Sequence, residues 1–225
     1  LHTAYRRQRQ MCIRDRRMSS TCNPARPAGA GSTPPGRRMS AKTYHHGNLR
    51  VVLLATARDL LEEQGIAALG LRAITRRAGV SATAAIPHFG SLSGLLSVLA
   101  AAGFDELAEA LAPVLAQGAA AAGLAYVRFA LRNPGLFTLM FRSDAIDRAV
   151  PALAAASART SAMLTQLLGT MPGPQGARTR AGMRAAQWGR VHGLAVLAID
   201  GMLDALLAAE GEDLSLDALV ADALR

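Results

Sequence analysis

The apolar residues of this chain recur every three or four positions from Leu49 onward, and no stretch alternates as a half-buried strand would. Hydrophobic residues make up 51% of the 225 positions, which is enough for a sizeable core. The pattern predicts an all-α fold, with Asn48 and Ser91 as N-caps of two of its helices. The predicted helices cover residues 49–64, 71–78, 82–87, 92–99, 104–116, 123–132, 134–141, 146–168, 177–209 and 214 onward.

A short turn, Ala78-Gly79-Val80-Ser81, separates two of the short predicted helices. Gly79 stands where a helix end often needs left-handed backbone, which glycine adopts without steric cost. Val80 supplies an apolar side chain that can pack beneath the turn, and Ser81 is a favourable N-cap for the helix 82–87. A helix of that length fits a DNA major groove, so the segment predicts a helix-turn-helix head. The alternative is an ordinary corner between two helices.

Basic residues are unevenly distributed. Residues 1–50 carry eleven Lys or Arg and one acidic residue, which accounts for most of the net charge of +9. Residues 42–100 hold six basic and three acidic residues, a balance that suits contact with phosphates. Residues 101–225 hold ten basic and twelve acidic residues. This asymmetry favours a DNA-binding head on a C-terminal helical bundle that does not bind DNA.

Residues 1–41 have no helical or strand period and are rich in Arg, Pro, Gly and Ser, so we expect them to be disordered. The segment RQRQMCIRDR resembles a translated sequencing adapter, and we expect part of this tail to be non-native, with Met39 as the natural start. The alternative is a basic arm that strengthens nonspecific DNA binding. Cys12 and Cys22 both lie here and form no disulfide or metal pattern.

We expect a cytoplasmic protein without a membrane segment. The Arg-rich start of the chain has no apolar signal-peptide core behind it. Residues 110–127 are uncharged, but alanine and glycine dominate them and Pro113 interrupts them, so packed helices explain this stretch better than a membrane span.

Three separated segments resemble one family. Residues 61–81 read LEEQGIAALGLRAITRRAGVS and precede the pair His88-Phe89, while residues 44–49 read YHHGNL. This region, from about Lys42 to Gly103, is similar to the TetR/AcrR family of transcriptional regulators. AYVRFALRNPGLFTLMF (residues 125–141) and WGRVHGLAVLAIDGML (residues 188–203) resemble the C-terminal half of the subgroup named for its Trp-His-Gly motif. The resemblance implies a TetR-like fold, with a DNA-binding domain at 42–95 and a ligand-binding and dimerisation domain at 96–225.

The resemblance also implies which residues contact DNA. Ala82, Thr83 and Ala84 stand at the start of the recognition helix, where family members touch base edges. Thr83 offers a hydroxyl and a methyl group, whereas the alanines can contact thymine methyls. Arg72 is the main candidate for a phosphate contact, and Ser81 is a candidate for capping and phosphate contact together. The remaining candidates are Lys42, Tyr44, His45, His46 and His88.

Two positions depart from the family pattern. The family usually has a tyrosine at Ile86 and a lysine at Leu92, and both usually hold phosphate. Pro87 is also unusual near the end of a recognition helix, although a proline there removes only one amide donor. The absence of two phosphate-binding side chains would lower DNA affinity and its salt dependence.

Aromatic and apolar residues in the C-terminal half are candidates for a ligand pocket. Trp188 and His192 are four residues apart and share a helix face. Phe129, Phe137, Met140 and Phe141 are further candidates for the wall. Each of these residues is also explained by ordinary core packing. The resemblance implies an unidentified small-molecule effector that binds among these helices and shifts the spacing of two DNA heads.

Small residues line one face of the last long predicted helix. They are Gly182, Ala186, Gly189, Gly193 and Gly201, spaced by three or four positions or a multiple of that. Their spacing fits either tight packing within one subunit or a dimer seam. The resemblance implies a homodimer through residues 177–209 and the terminal helix.

Three functional hypotheses follow. The leading one is a dimeric, ligand-responsive regulator, usually a repressor in this family, that binds a near-palindromic double-stranded DNA operator. The second is a helical small-molecule-binding protein whose helix-turn-helix has lost DNA recognition, as Ile86, Leu92 and Pro87 suggest. An enzyme is disfavoured because no nucleophile, metal cluster or phosphate-cradling loop is present, and His192 and Asp200 are eight residues apart. We expect no cofactor and no metal.

Overall fold

The computed structural model describes residues 48–142, 144–169, 177–210 and 214–224. Every regular element in these residues is helical and none is a strand, which confirms the predicted all-α fold. The α-helices are α1 (Leu49–Gln64), α2 (Leu71–Arg77), α3 (Ile86–Phe89), α4 (Leu92–Leu111), α5 (Ala119–Arg132), α6 (Pro134–Arg142), α7 (Pro151–Gly169), α8 (Ala177–Ile199), α9 (Met202–Glu210) and α10 (Leu216–Ala223).

The head comprises α1 to α3 and the start of α4. Apolar side chains of α1, α2 and the start of α4 hold it together. Leu53, Ile74 and Leu95 are fully buried there. Ser91 caps α4 as predicted, its hydroxyl accepting a hydrogen bond from the Gly94 N–H at 3.0 Å. Asn48 also lies at its predicted cap position, but its side chain makes no cap bond because its backbone is helical rather than extended.

Helix α4 runs unbroken through Gly103, so the prediction of a separate helix beginning at Phe104 is wrong. Gly103 instead allows a close approach to α6. A Cβ at this position would lie 2.6 Å from Met140 Sδ and 2.8 Å from Leu136 Cδ2. The same helix therefore contributes to the head at one end and packs against the rest of the chain at the other.

Helix α7 begins at Pro151 and not at Ile146 as predicted. Ile146 is buried, and the backbone N–H of Asp147 donates to Ser97 Oγ at 2.8 Å. Ser97 is itself fully buried in α4 and donates to the Ser93 carbonyl at 2.7 Å. These bonds hold the segment before α7 against α4 in a non-helical conformation.

The predicted helix 177–209 is two helices, α8 and α9, bent by 87° at a short break. Gly201 lies at this break with φ of 69°, in the left-handed region that favours glycine. Gly201 therefore forms the turn between α8 and α9. It does not belong to the face of small residues on α8, where the sequence analysis had placed it.

The body of the fold, α4 to α10, is built around α4 and α5. Helix α7 packs against α4, while α8 and α10 pack against α5. Asp217 of α10 forms an ion pair with Arg128 of α5, and the hydrogen bond from Arg128 lowers the pKa of the Asp217 carboxyl. The largest fully buried side chains of the body are Leu107, Leu136, Phe137, Leu139, Met140, Leu153 and Leu203.

Several predictions fall outside the described residues. They are the disordered tail 1–41 with Cys12 and Cys22, the proposed DNA contacts Lys42, Tyr44, His45 and His46, and the loop 171–176. Taken singly, none of the described helices is long and apolar enough to cross a membrane.

Gly94 gives a test of the joint between α3 and α4. A Cβ at this position would lie 2.1 Å from the Phe89 carbonyl oxygen, which is backbone and cannot rotate away. We expect Gly94→Ala to lower the free energy of unfolding by about 1–3 kcal/mol, measured by urea titration. Gly70→Ala is the matched control, because its Cβ would meet nothing within 4 Å and its backbone is extended, a conformation that alanine adopts without strain. Equal stability of the two variants would contradict the contact.

Candidate functional site

The turn of the predicted helix-turn-helix is present as expected. Gly79 has φ of 72°, and the Val80 N–H donates to the Thr75 carbonyl at 2.9 Å, which closes the end of α2. Val80 is half-buried and packs against the core. Ser81 precedes the next helical segment in an extended conformation, but its hydroxyl bonds to Thr83 Oγ1 at 3.0 Å and caps no backbone N–H. The Ser81 side-chain cap is therefore a wrong prediction.

The segment that follows, Ala82–Phe89, is the recognition segment. It consists of a 3-10 turn, Ala82–Ala85, that continues directly into α3. Pro87 lies in the first turn of α3 rather than the last, where it takes no hydrogen-bond donor from the helix. The segment is therefore longer than the predicted helix 82–87, and its proline is compatible with it.

Exposure divides the recognition segment into an outer and an inner side. Thr83 and Pro87 are exposed, and 50% of Ile86 is exposed. Ala82 is half-buried, whereas Ala84 packs against the core and Ala85 is fully buried. Of the three residues expected at the exposed start, only Thr83 is exposed, whereas Ala82 and Ala84 are both half-buried.

Positive charge flanks the recognition segment. Arg72 and Arg76 of α2 are exposed, and neither forms an ion pair with a carboxylate of the described residues. Arg77 instead forms two hydrogen bonds with Glu63 of α1, at 2.5 and 2.6 Å. The hydrogen bond from Arg77 lowers the pKa of the Glu63 carboxyl. The head therefore keeps Arg72 and Arg76 available for an external anion.

Arg50 fixes the end of the recognition segment and was missed by the sequence analysis. Its guanidinium lies 4.9 Å from the centre of the Phe89 ring and donates to the His88 carbonyl at 3.0 Å. His88 itself is half-buried, with its ring 6.3 Å from that of Phe89. Leu92, at the start of α4, is half-buried against the core.

The head is joined to the body through Glu62 of α1. Its carboxylate accepts hydrogen bonds from the backbone N–H groups of Gly135 at 2.9 Å and Leu136 at 3.0 Å, at the start of α6. These are amides without a partner inside their helix, and the helix dipole favours a negative charge there. The contact is close, since a Cβ on Gly135 would lie 2.7 Å from the Leu61 carbonyl oxygen.

Arg58 extends this joint to α4. Its guanidinium contacts Glu62 at 3.3 Å and Glu106 at 3.1 Å, and it donates to Asn133 Oδ1 at 2.7 Å. One arginine therefore connects α1, α4 and the residue before α6.

The body contains a cavity of about 340 Å³ between α4, α5, α7 and α8. This volume lies in the range of small-molecule sites. Its wall is mainly apolar and includes Phe104, Tyr126, Phe141, Met163 and Trp188. Leu224, just after α10, closes one side.

The predicted pocket residues divide into two groups. Phe141 and Trp188 line the cavity. Phe129, Phe137 and Met140 are buried in the core between the helices and do not reach the wall. His192 lies behind the wall, stacked on Phe137 with ring centres 5.2 Å apart. Tyr126 was missed, although it lies in the segment 125–141 that the sequence analysis singled out.

Tyr126 connects the wall to His192. Its hydroxyl lies 3.0 Å from His192 Nδ1, within hydrogen-bond distance. Burial raises the pKa of the Tyr126 hydroxyl, so the group remains a neutral donor.

Comparison with known proteins decides the family. Residues 53–99 match the model described as bacterial regulatory proteins, tetR family, and residues 119–223 match the tetracyclin repressor-like C-terminal domain. The chain belongs to the TetR family. A search among curated proteins gave no match.

Solved structures agree with this TetR fold. A protein of unknown function from Rhodococcus sp. RHA1 is 31% identical, with a TM-score of 0.65 over 81% of this chain and 94% of that one. A protein described as a tetR family transcription regulator from Shewanella sp. PV-4 is 21% identical, with a TM-score of 0.56 over 78% and 94%. PfmR, a TetR family transcriptional regulator from Thermus thermophilus, is 16% identical, with a TM-score of 0.52 over 77% and 97%. The last two likenesses concern the fold alone.

This TetR-family chain also exposes an apolar face on its last helices. Leu197 of α8 and Met202 and Leu206 of α9 are exposed, Met202 to 59%. On α8, a Cβ added to Gly182, Gly189 or Gly193 would meet nothing within 4 Å. Among the described residues, this stripe of small residues therefore faces open space.

Glu62 and Glu63 give a matched test of the joint between head and body. Glu62→Gln removes a charge that accepts two backbone N–H groups of α6, and we expect it to lower the free energy of unfolding by about 1–2 kcal/mol. Glu63→Gln breaks only an exposed pair with Arg77, and we expect a much smaller change, because water and salt screen exposed ion pairs. Urea titration of both variants measures the difference, and an equal effect would contradict a specific role for Glu62.

Proposed function

We propose that this protein is a ligand-responsive transcriptional regulator that binds a near-palindromic operator as a homodimer and acts as a repressor. The observation that carries the proposal is the pairing of two features in one TetR-family chain. One is a recognition segment with an exposed outer side flanked by Arg72 and Arg76; the other is an apolar cavity in the body. We further propose a division into a DNA-binding domain at 42–95 and a ligand-binding and dimerisation domain at 96–225.

Thr83 and Ile86 are the residues we propose for base contact. Both are exposed, and both carry methyl groups that fit the thymine methyl in the major groove. Arg72 and Arg76 hold the flanking phosphates, with Ser81 and His88 as nearer polar groups. Lys42, Tyr44 and His45, in the segment before α1, remain proposed contacts to the DNA backbone.

The exposed face of α8 and α9 is the surface we propose for the dimer. Exposed large apolar side chains next to open glycines allow two helices to approach closely and bury Leu197, Met202 and Leu206. A two-fold symmetric pair places two recognition segments on one DNA duplex.

The cavity is the site we propose for the effector. Its mainly apolar wall with a few polar groups is typical of small-molecule sites. We also assign the chain to the Trp-His-Gly subgroup, on the basis of Trp188, His192 and Gly193 in α8.

DNA binding is tested with the full chain and a fluorescent duplex selected from random sequences, titrated at several salt concentrations. We expect the selected duplex to bind more tightly than random DNA. In Arg72→Gln, the slope of log affinity against log salt should become shallower by about 0.9 for each phosphate that the arginine no longer neutralises. Arg159→Gln, a body residue paired with Asp105 at 2.5 Å, is the control and should leave the slope unchanged.

The second candidate function predicts a different outcome. If the exposed Ile86 marks a head without DNA recognition, selection should recover no preferred sequence and all duplexes should bind weakly and equally. That result would contradict the proposed regulator and favour a small-molecule-binding protein. In that case, Ile86→Tyr together with Leu92→Lys should create DNA binding.

The dimer surface is tested by sedimentation velocity. Gly189→Arg places a long charged side chain on the open face of α8, and we expect the dimer to dissociate into monomers. Its fold should be kept, because arginine is a better helix former than glycine. Ala102→Arg, at an exposed position of α4, is the control and should remain a dimer. A Gly189→Arg variant that sediments as a dimer would rule out this surface.

A further inference from the structure

Among the described residues, the charge on the cavity wall is positive and comes from one arginine. Arg148, in the segment between α6 and α7, is the single charged residue among the described residues that line the cavity. No Asp or Glu of the described chain lies on this wall. Arg148 is itself exposed, so it lines the cavity at an edge that water reaches and that an incoming ligand can contact.

Arg148 is free to receive an anion. Its guanidinium makes one weak contact, from Nη2 to the Met140 carbonyl at 3.4 Å, and forms no ion pair with a carboxylate of the described residues. The neighbouring Asp147 carboxylate is occupied by the Ala149 backbone N–H at 2.9 Å. A guanidinium presents several N–H donors in one plane, which matches the two oxygens of a carboxylate.

The remaining polar groups of the wall do not compensate this charge. Tyr126, Ser157, Thr160, Ser161 and Gln187 are neutral. The Thr160 hydroxyl lies 3.1 Å from the Phe104 carbonyl oxygen and 3.2 Å from that of Ala156, so its one proton is already engaged within the protein. Away from Arg148, the wall is formed by aliphatic and aromatic side chains such as Leu111, Leu115 and Leu167.

We propose that the ligand of this cavity is an apolar molecule that carries a single carboxylate, such as a medium-chain fatty acid or an aryl-substituted acid. The carboxylate pairs with Arg148, and the apolar part fills the space between α4, α5 and α7. The proposal rests on the proposed function, in which this cavity holds the effector. It adds the chemical class of that effector and the residue that selects it.

Arg148 is placed so that its ligand acts on α4. The preceding residue, Asp147, is bound through its backbone N–H to Ser97 in the centre of α4, at 2.8 Å. A carboxylate that draws Arg148 toward the cavity therefore pulls on a segment that is bound to α4. Helix α4 in turn begins shortly after the recognition segment ends.

Ligand binding to the full chain is measured through Trp188, the one tryptophan in the sequence, which lies on the cavity wall. The probes are decanoate, decanol and decylamine at neutral pH, because they share one alkyl chain and differ in the charge of the head group. We expect decanoate to bind at least about tenfold more tightly than decanol, and decylamine to bind most weakly. Equal affinity for decanoate and decanol, or no binding of either, would overturn the proposal.

The Arg148→Gln variant tests whether Arg148 causes the preference for decanoate. We expect this variant to lose most of the roughly tenfold preference for decanoate while its affinity for decanol stays unchanged. Arg159→Gln, which removes an arginine of α7 that does not line the cavity, should keep the preference. A decanoate preference that survives Arg148→Gln would overturn the role of this residue.

The two proposals fail separately. The titration needs no DNA. If the protein prefers decanoate but binds no operator, the proposed regulatory function is wrong and the proposed ligand class stands. If it binds an operator specifically but does not distinguish decanoate from decanol, the regulatory function stands and the ligand class is wrong.

Discussion

The Glu62 carboxylate at the start of α6 is the interaction on which the arrangement of head and body depends. It binds two backbone amides that α6 cannot satisfy itself, and it does so from a helix that belongs to the DNA-binding head. Because Gly135 lies so close to the Leu61 carbonyl, the two helices have no room for a larger residue at that position. Arg58 completes the joint by contacting Glu62, Glu106 and Asn133 together, so a movement of α6 or α4 reaches α1 directly.

Helices α4 and α6 also contribute Phe104 and Phe141 to the cavity wall, and this is why we propose that ligand and DNA are linked. Helix α4 starts just after the recognition segment, and farther along it carries Phe104 on the wall. Ser97, between these two points, binds the segment that contains Arg148. A ligand that binds one arrangement of these helices better than another shifts the population toward it, and the DNA head shifts with it.

Local features of the fold could be predicted from the sequence, whereas contacts between distant residues could not. Gly79 and the helical period predicted the turn and the helices around it, because both depend on residues a few positions apart. The break at Gly201 was missed because apolar spacing continues through it, and the start of α7 was missed because it depends on the bond between Ser97 and Asp147. Pocket prediction favoured aromatic residues, but Phe129 and Phe137 face the core, while Tyr126 and Arg148 reach the cavity.

The most direct test of the link between cavity and head is the distance between the two recognition segments of the dimer. A spin label at Thr83→Cys, with Cys12→Ser and Cys22→Ser, allows this distance to be measured by double electron–electron resonance, while Trp188 fluorescence of the same sample reports cavity occupancy. We expect the distance distribution to shift when decanoate occupies the cavity. An unchanged distribution in a sample whose cavity is occupied would contradict the link between ligand and DNA head.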